Sequence, residues 1–305
     1  MKNSYIHIGL HQAGSTFIQA ELLPKLKKIT PITFYENNFL NEEILYLCQC
    51  SDLYYDDTCE KKIQNLIKNK KNIFISSEAF SGIRYNVYTS GYTNVSVAKR
   101  LKNIFENPKI LIGIRNQKSM IESLYKGLVH YGYLGDFENF FREHLRNCQF
   151  DIFKYHTLIK FYEDFFGKEN VHVYLYENFF NKDNAKDVLM RMGIDTEGIE
   201  NVNFNRRINS TFSPLALKFS FLINRIFGSK LSYGVSFGRD PRLRIYNLWR
   251  YTLSEYVNKF SYAIGYRKIK LGFKDYDEIL YNQFHQDNLK LSKLLDINIH
   301  EHGYM

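Results

Sequence analysis

The stretch YIHIGLHQAGSTFIQAELL, residues 5 to 23, is an apolar run that breaks into a Gly-Ser-Thr turn and resumes with helical character. A strand that stops at Gly14 and restarts as a helix at Ser15-Thr16 brings backbone N–H groups, a positive helix end and two hydroxyls to one point in space, where a phosphate fits. Taken alone, the same turn also reads as an ordinary helix cap in which Ser15 or Thr16 serves its own helix. It is not a Walker A loop, because that motif needs a Lys before the hydroxyl residue, and here Gly14 is followed directly by Ser15.

Working outward, three more β-rich runs share the pattern of the first: NIFIS (72–76), KILIGI (109–114) and VHVYLY (171–176). Like YIHIGL (5–10), each has the usual strand length and is separated from the next by enough chain for a helical crossover. This is the βαβ pattern of a parallel sheet, whose ligands sit outside the carboxyl ends of the strands. The four runs exit into HQAGST, Ser77-Glu78, Arg115-Asn116 and Glu177-Asn178, so polar groups gather where such a fold puts its site. Helices are expected over 15–28 (kinked or ended near Pro24), 58–69, 95–106, 117–130, 152–166 and 183–192, closing at Gly193. Beyond residue 200 the strand signals fade and helical periodicity covers 213–227, 242–263 and 276–295. The expected partition is a single domain over 1–305, with an α/β core to residue 200 and a helical extension over 201–305.

At 305 residues, 45% hydrophobic and 16% aromatic, the chain can bury a full core, which excludes a disordered class. Its formal charge of +9 and pI near 9.1 suit an anionic ligand, nucleic acid or a membrane surface, or a solvated basic exterior. No recognised nucleic-acid module is present, and none is expected as a partner. A secretory h-region and an 18-residue apolar stretch are both missing, so a cytoplasmic protein is expected. Cys48, Cys50, Cys59 and Cys148 match neither zinc-knuckle nor disulfide spacing and read as reduced, structural thiols. The nine histidines form no HxxxH or HExxH set, so no metal is expected.

The HQAGST-F-IQ stretch resembles the first motif of the sulfotransferases that use 3′-phosphoadenosine 5′-phosphosulfate (PAPS): a strand, then PKxGTT or HKTGTT, then a helix. KILIGIRNQKSMIESLYKG resembles their second motif, an Arg after a strand and a Ser eight residues on, here Arg115 and Ser123. Residues 161–194, 206–225 and 284–295 also resemble bacterial glycan sulfotransferases, so the likeness runs over most of the chain. The resemblance implies a P-loop-like, three-layer α/β fold with a central, mostly parallel sheet. It further implies sulfuryl transfer from PAPS, with 3′-phosphoadenosine 5′-phosphate (PAP) as product, to a hydroxyl, less readily an amine, of a carbohydrate or glycolipid.

By the same resemblance, the backbone of Ala13, Gly14, Ser15 and Thr16 cradles the 5′-phosphate, with the Ser15 and Thr16 hydroxyls as donors. Phe17 stands where an aromatic often lies near the adenine, Arg115 and Ser123 hold the 3′-phosphate, and Arg206 and Arg207 close over the nucleotide. Arg115 and Ser123 also read as a salt-bridged strand-end Arg and a helix-face Ser, and Arg206 and Arg207 as solvated surface charge. The general base is expected to be Glu78, its pKa raised by partial burial at a sheet end, with Glu36 and His11 as competitors and His7 and His130 as structural residues. Gln12 departs from the pattern, since the family usually has a Lys there to neutralise charge as the S–O bond breaks; Gln donates a hydrogen bond but carries no charge. The alternative function is therefore a catalytically degraded PAP-binding protein of the same fold. The basic, amphipathic segment 215–231 is compatible with peripheral membrane contact, although packing onto the domain is the reading taken. Oligomeric state and acceptor identity are left open by the sequence.

Overall fold

The structure is a computed structural model and describes residues 3–33, 41–82, 93–130, 133–205, 213–227, 256–258, 260–261 and 271–305. The chain divides into two compact units: Met1–Gln117 with Asn147–Ile208 and Leu280–Met305, and Lys118–Arg146 with Asn209–Ile279.

The first unit holds the sheet, β1 (Ser4–His7), β2 (Thr30–Thr33), β3 (Ile73–Ser76), β4 (Lys109–Ile114) and β5 (Val171–Leu175), all parallel in the order β2-β3-β1-β4-β5. The four strands read from sequence are all present. They are largely apolar because both faces of a parallel sheet are covered. Tyr5, Phe74, Leu111 and Tyr174 point into one buried cluster with Phe17, Leu22 and Leu189. Ile6, Ile75, Ile110 and Ile112 alternate with them and are equally buried, so the opposite face is covered too. β2, TPIT, is the strand that sequence reading missed. Pro31 has no N–H to give, and the strand survives because it is an edge strand paired only with β3.

The segment after β1 differs from the single helix expected over 15–28. It opens as α1 (Ser15–Phe17), widens into a π-helical turn over Ile18–Leu22 and closes as a 3-10 turn over Leu23–Lys25 containing Pro24. The end near Pro24 is as read, since the proline cannot continue a helical ladder. Then come α2 (Asn41–Gln49), α3 (Thr58–Ile67), α4 (Asn94–Ile104), α5 (Gln117–His130), α6 (Phe137–Arg146), α7 (Tyr155–Phe166), α8 (Tyr176–Phe179), α9 (Lys182–Arg191), α10 (Pro214–Phe227) and α11 (Tyr276–Leu295). The helices α2, α6 and α8 had not been expected. Asp151–Phe153 is a separate 3-10 turn ahead of α7, where one helix over 152–166 had been expected. The region 242–263 lies almost wholly outside the described residues.

In the second unit α6 buries Phe137, Phe140 and Phe141, which meet Tyr125, Phe273 and Tyr276 edge-on or tilted in an aromatic cluster.

Candidate active site

β1 stays on its neighbour longer than its formal length. The Ile8 amide donates to the Leu111 carbonyl (3.1 Å), that of Leu10 to Gly113 (3.2 Å), and that of Gly113 back to Gly9 (2.8 Å). The chain leaves the sheet only at His11. There β1 and β4 are adjacent but lead to opposite sides, β1 toward β2 and β4 toward β5, which is the switch point at which open α/β sheets form their crevice. The turn is built on positive φ at Gly9 (89°), Gln12 (64°) and Gly14 (93°). For Gln12 that conformation costs roughly 1–2 kcal/mol and must be held by its surroundings. The Ala13 amide closes the turn on the Leu10 carbonyl, and the first helical bonds run from Phe17 and Ile18 to Gly14, so the Ser15 and Thr16 amides precede the helical ladder. Gln12, Gly14 and Thr16 are half-buried, whereas His11, Ala13 and Ser15 are buried.

A chain of buried hydrogen bonds supports this turn from beneath. The Tyr174 hydroxyl on β5 donates to the Ala13 carbonyl (3.0 Å), so its oxygen accepts from His7 Nε2 on β1 (3.1 Å). His7 therefore carries its proton on Nε2, and its bare Nδ1 accepts from the Ser76 hydroxyl on β3 (2.7 Å). Ser76 Oγ in turn accepts from the Gln19 side-chain amide in the π turn (3.0 Å). The sense of donation runs from Gln19 through Ser76, His7 and Tyr174 to Ala13 and never reverses, and the Gln19 amide also donates to the Ser76 carbonyl (3.3 Å). Burial pushes the His7 pKa down to about 4, against the opposing charge of Glu78, and keeps the imidazole neutral. Gly113 makes the crossing possible, because a Cβ there would collide with the Tyr174 hydroxyl. His7 is fully buried between Ser76 and Tyr174.

Glu78 follows β3 in a 3-10 turn (Glu78–Ser81), and its Oε2 lies 2.8 Å from His11 Nδ1. Two of the three candidates for the base, Glu78 and His11, are thus one pair. Glu78 keeps 24% of its side chain exposed against 8% for His11, so Glu78 is the more exposed partner of the pair. The expectation that burial would raise the Glu78 pKa is reversed. Burial is the largest influence and does raise it, but the charge and hydrogen bond of His11 and the hydrogen bond of the Ser15 hydroxyl, joined by His7 where that ring is protonated, together outweigh it and leave the pKa below its ordinary value. The Ser15 hydroxyl is only 1% exposed and turns inward, toward Glu78 and toward the Leu10 carbonyl at 3.4 Å. Its side chain belongs to the carboxylate rather than to the outer face of the turn. Thr16 is the hydroxyl on the half-buried side.

Arg115, leaving β4, donates from Nη1 to the Gln12 carbonyl (2.9 Å), and its guanidinium lies 4.3 Å from the centre of the Tyr176 ring. That bond braces the strained Gln12 and fixes a cation against the turn. Phe17 is only 3% exposed and packs against Phe179, Phe180 and Phe204, so its ring is a core element. Ser123 is buried on α5 in the second unit. Glu36, Arg206 and Arg207 lie outside the described residues, and of His130 only its place at the end of α5 is described. Sequence reading missed Tyr174, Ser76 and Gln19, which look like strand and helix filler; Gly113 within a strand was the available signal. Among the described residues no cluster of three or more His, Cys, Asp or Glu forms a metal site.

No family model matches the chain, and no curated protein does. Among solved structures the chain is similar to a sulfotransferase from Alicyclobacillus acidocaldarius, with 16% sequence identity, coverage of 76% of this chain and 98% of that chain, and a TM-score of 0.47. So distant a likeness leaves the chemistry to be read from the residues themselves. No helix among the described residues is long and apolar enough to cross a membrane.

Proposed function

We infer that the chain is a sulfotransferase that takes PAPS as sulfuryl donor and acts on a hydroxyl of a carbohydrate or glycolipid. The observation that carries this reading is the turn at the end of β1, which opens a helix at Ser15 while a guanidinium from the adjacent strand end is bonded to the Gln12 carbonyl. The donor set suits an anionic ligand: the Ser15 and Thr16 amides precede the helical ladder, the Arg115 cation is bonded to the same turn, and the nearby Glu78 carboxylate is already matched by His11 and Ser15. Bound PAPS supplies an activated sulfuryl group and a phosphate leaving group.

The residues of this chain then have separate tasks. The backbone of Gly14 to Thr16 and the Thr16 hydroxyl hold the 5′-phosphate, and Arg115 holds the 3′-phosphate. Glu78 takes the acceptor proton on its exposed face. It is ionised at neutral pH, which makes it available though less basic than a carboxylate of raised pKa. His11 orients Glu78 and balances its charge. Gln12 sits in the half-buried position nearest the pattern's missing Lys and offers an amide donor without charge.

Transfer of labelled sulfate from PAPS to a panel of sugar acceptors tests the reading, together with calorimetric binding of PAP. Glu78→Gln is expected to keep PAP affinity and lower turnover by about 10². Turnover near the parent value would remove Glu78 from the role of base. A second reading, a PAP-binding protein without turnover, is favoured by the uncharged Gln12. The two separate on Gln12→Lys, which raises turnover in a transferase and produces none in a degraded binder that still takes PAP.

A further inference from the structure

We propose that residues 302–305 are an anchor for the Arg115 loop, and that Tyr304 is a positioning residue for the anion that Arg115 holds. The proposal rests on the donor reading above. Two consecutive residues just after β4, Asn116 and Gln117, are fastened, directly or through one intermediary, to the far end of the sequence. The Asn116 side-chain amide donates to the carbonyls of Gly303 (2.8 Å) and His302 (3.3 Å). The Asn116 backbone N–H donates to Glu177 Oε1 (2.8 Å), and the other oxygen of that carboxylate accepts from the Tyr304 hydroxyl (3.2 Å). Gln117 bonds Asn288 (2.8 Å), whose own amide donates to the Met305 carbonyl (2.6 Å).

The loop is thereby fixed on both sides of Arg115. The Arg115 carbonyl accepts from the Tyr155 hydroxyl (2.6 Å), and the Tyr155 ring meets Tyr304 edge-on at 6.2 Å. Glu177 directly follows Tyr176, the ring on which the guanidinium rests, so the bridge from Asn116 through Glu177 to Tyr304 sets the cation and its aromatic support together. Tyr304 is only 2% exposed and its ring has no route to the ligand, which makes it a positioning group and not a contact. Gln117 and Asn288 are likewise buried, at 1% and 0%, so this anchoring is internal to the first unit.

Removing the Tyr304 hydroxyl while keeping its ring isolates this role. In Tyr304→Phe, PAP affinity is expected to fall by about tenfold, the usual worth of one hydrogen bond to a charged group. Affinity for adenosine 5′-phosphosulfate, which lacks the 3′-phosphate, is expected to stay within about twofold of the parent, since the backbone turn is untouched. In the ligand-free chain, hydrogen exchange of the Asn116 amide is expected to speed up by about tenfold, while that of β1 does not change. Equal losses for both ligands, or unchanged exchange at Asn116, would overturn the anchor and reduce Tyr304 to a packing residue. If Tyr304→Phe binds PAP as the parent does while Arg115→Ala does not, the anchor falls and the donor reading stands. If the parent chain binds neither ligand, the donor reading falls and the phosphate role of Tyr304 falls with it.

Discussion

Tyr174→Phe should be far more damaging than the loss of one oxygen atom suggests. The ring would keep its place against Phe179, whose centre lies 4.2 Å away, so no cavity is opened. Two groups would lose their partner in a dry environment: the His7 Nε2–H and the Ala13 carbonyl. Each buried orphan costs about 1–3 kcal/mol, which gives about 3 kcal/mol after partial relaxation. For a chain of this size that corresponds to a fall of roughly 6–12 °C in the melting temperature. Because the lost bond is the one fixing Ala13 from below, the turn should also bind PAP more weakly. Differential scanning calorimetry and PAP titration of the same preparation measure both effects. A stability loss under about 0.5 kcal/mol, the range of an ordinary surface substitution, would mean that the chain of hydrogen bonds does not organise the turn.

The acid limb of stability should have two stages. His7 and His172 both have pKa values depressed to about 4, chiefly by burial, so the unfolded chain takes up protons first and stability falls as pH drops from 6.5 toward 4, by at most about 3 kcal/mol for each. Glu78, whose pKa is lowered, adds stability above its ordinary value that disappears only as pH falls through its folded value. His172→Gln should roughly halve the first stage in urea titrations between pH 7 and 4, and an unaltered slope would refute the assignment. Gly14→Ala should lower stability by about 1–3 kcal/mol, since φ is +93° and the new Cβ would sit 2.8 Å from Phe180 Cζ; a normal melting curve would show that Phe180 yields freely. Arg115→Ala should weaken PAP much more than adenosine 5′-phosphosulfate in calorimetry, and equal losses would place Arg115 away from the 3′-phosphate.

The parts of the fold legible in sequence were those whose signal is local. Four strands could be read because burial on both faces makes them continuous apolar runs, and the turn after β1 because Gly14-Ser15-Thr16 is a local signature. β2 was hidden because TPIT carries a proline that only an edge position tolerates. The same limit governs the site. Glu78 and His11 were each visible as a titratable residue at a strand exit, but their pairing depends on β3 lying beside β1, which no window of sequence contains. The direction of the Glu78 pKa followed the unseen partner rather than the visible burial. Phe17 was set near the adenine and the Ser15 hydroxyl on the 5′-phosphate because the motif names the residue and not its direction; in the folded chain the ring enters the core and the hydroxyl faces Glu78.

The π turn over Ile18–Leu22 holds one residue more than an α-helical turn would in the segment that follows the β1 turn. Its wide winding lets Ile18, Gln19, Glu21 and Leu22 all be enclosed, with Gln19 reaching Ser76 and Glu21 accepting the Asn203 amide on another side. Deleting a single residue here would let the winding relax to an ordinary helix, where each residue accounts for about 100° of rotation and 1.5 Å of rise. Ser15 and Thr16 would keep nearly their present direction, because the wider turn holds one more residue for about the same rotation, and the change would fall on the enclosed side chains. A one-residue deletion between 18 and 22 therefore bears on whether Gln19 still reaches Ser76 and Glu21 still reaches Asn203, and not on which way the turn faces.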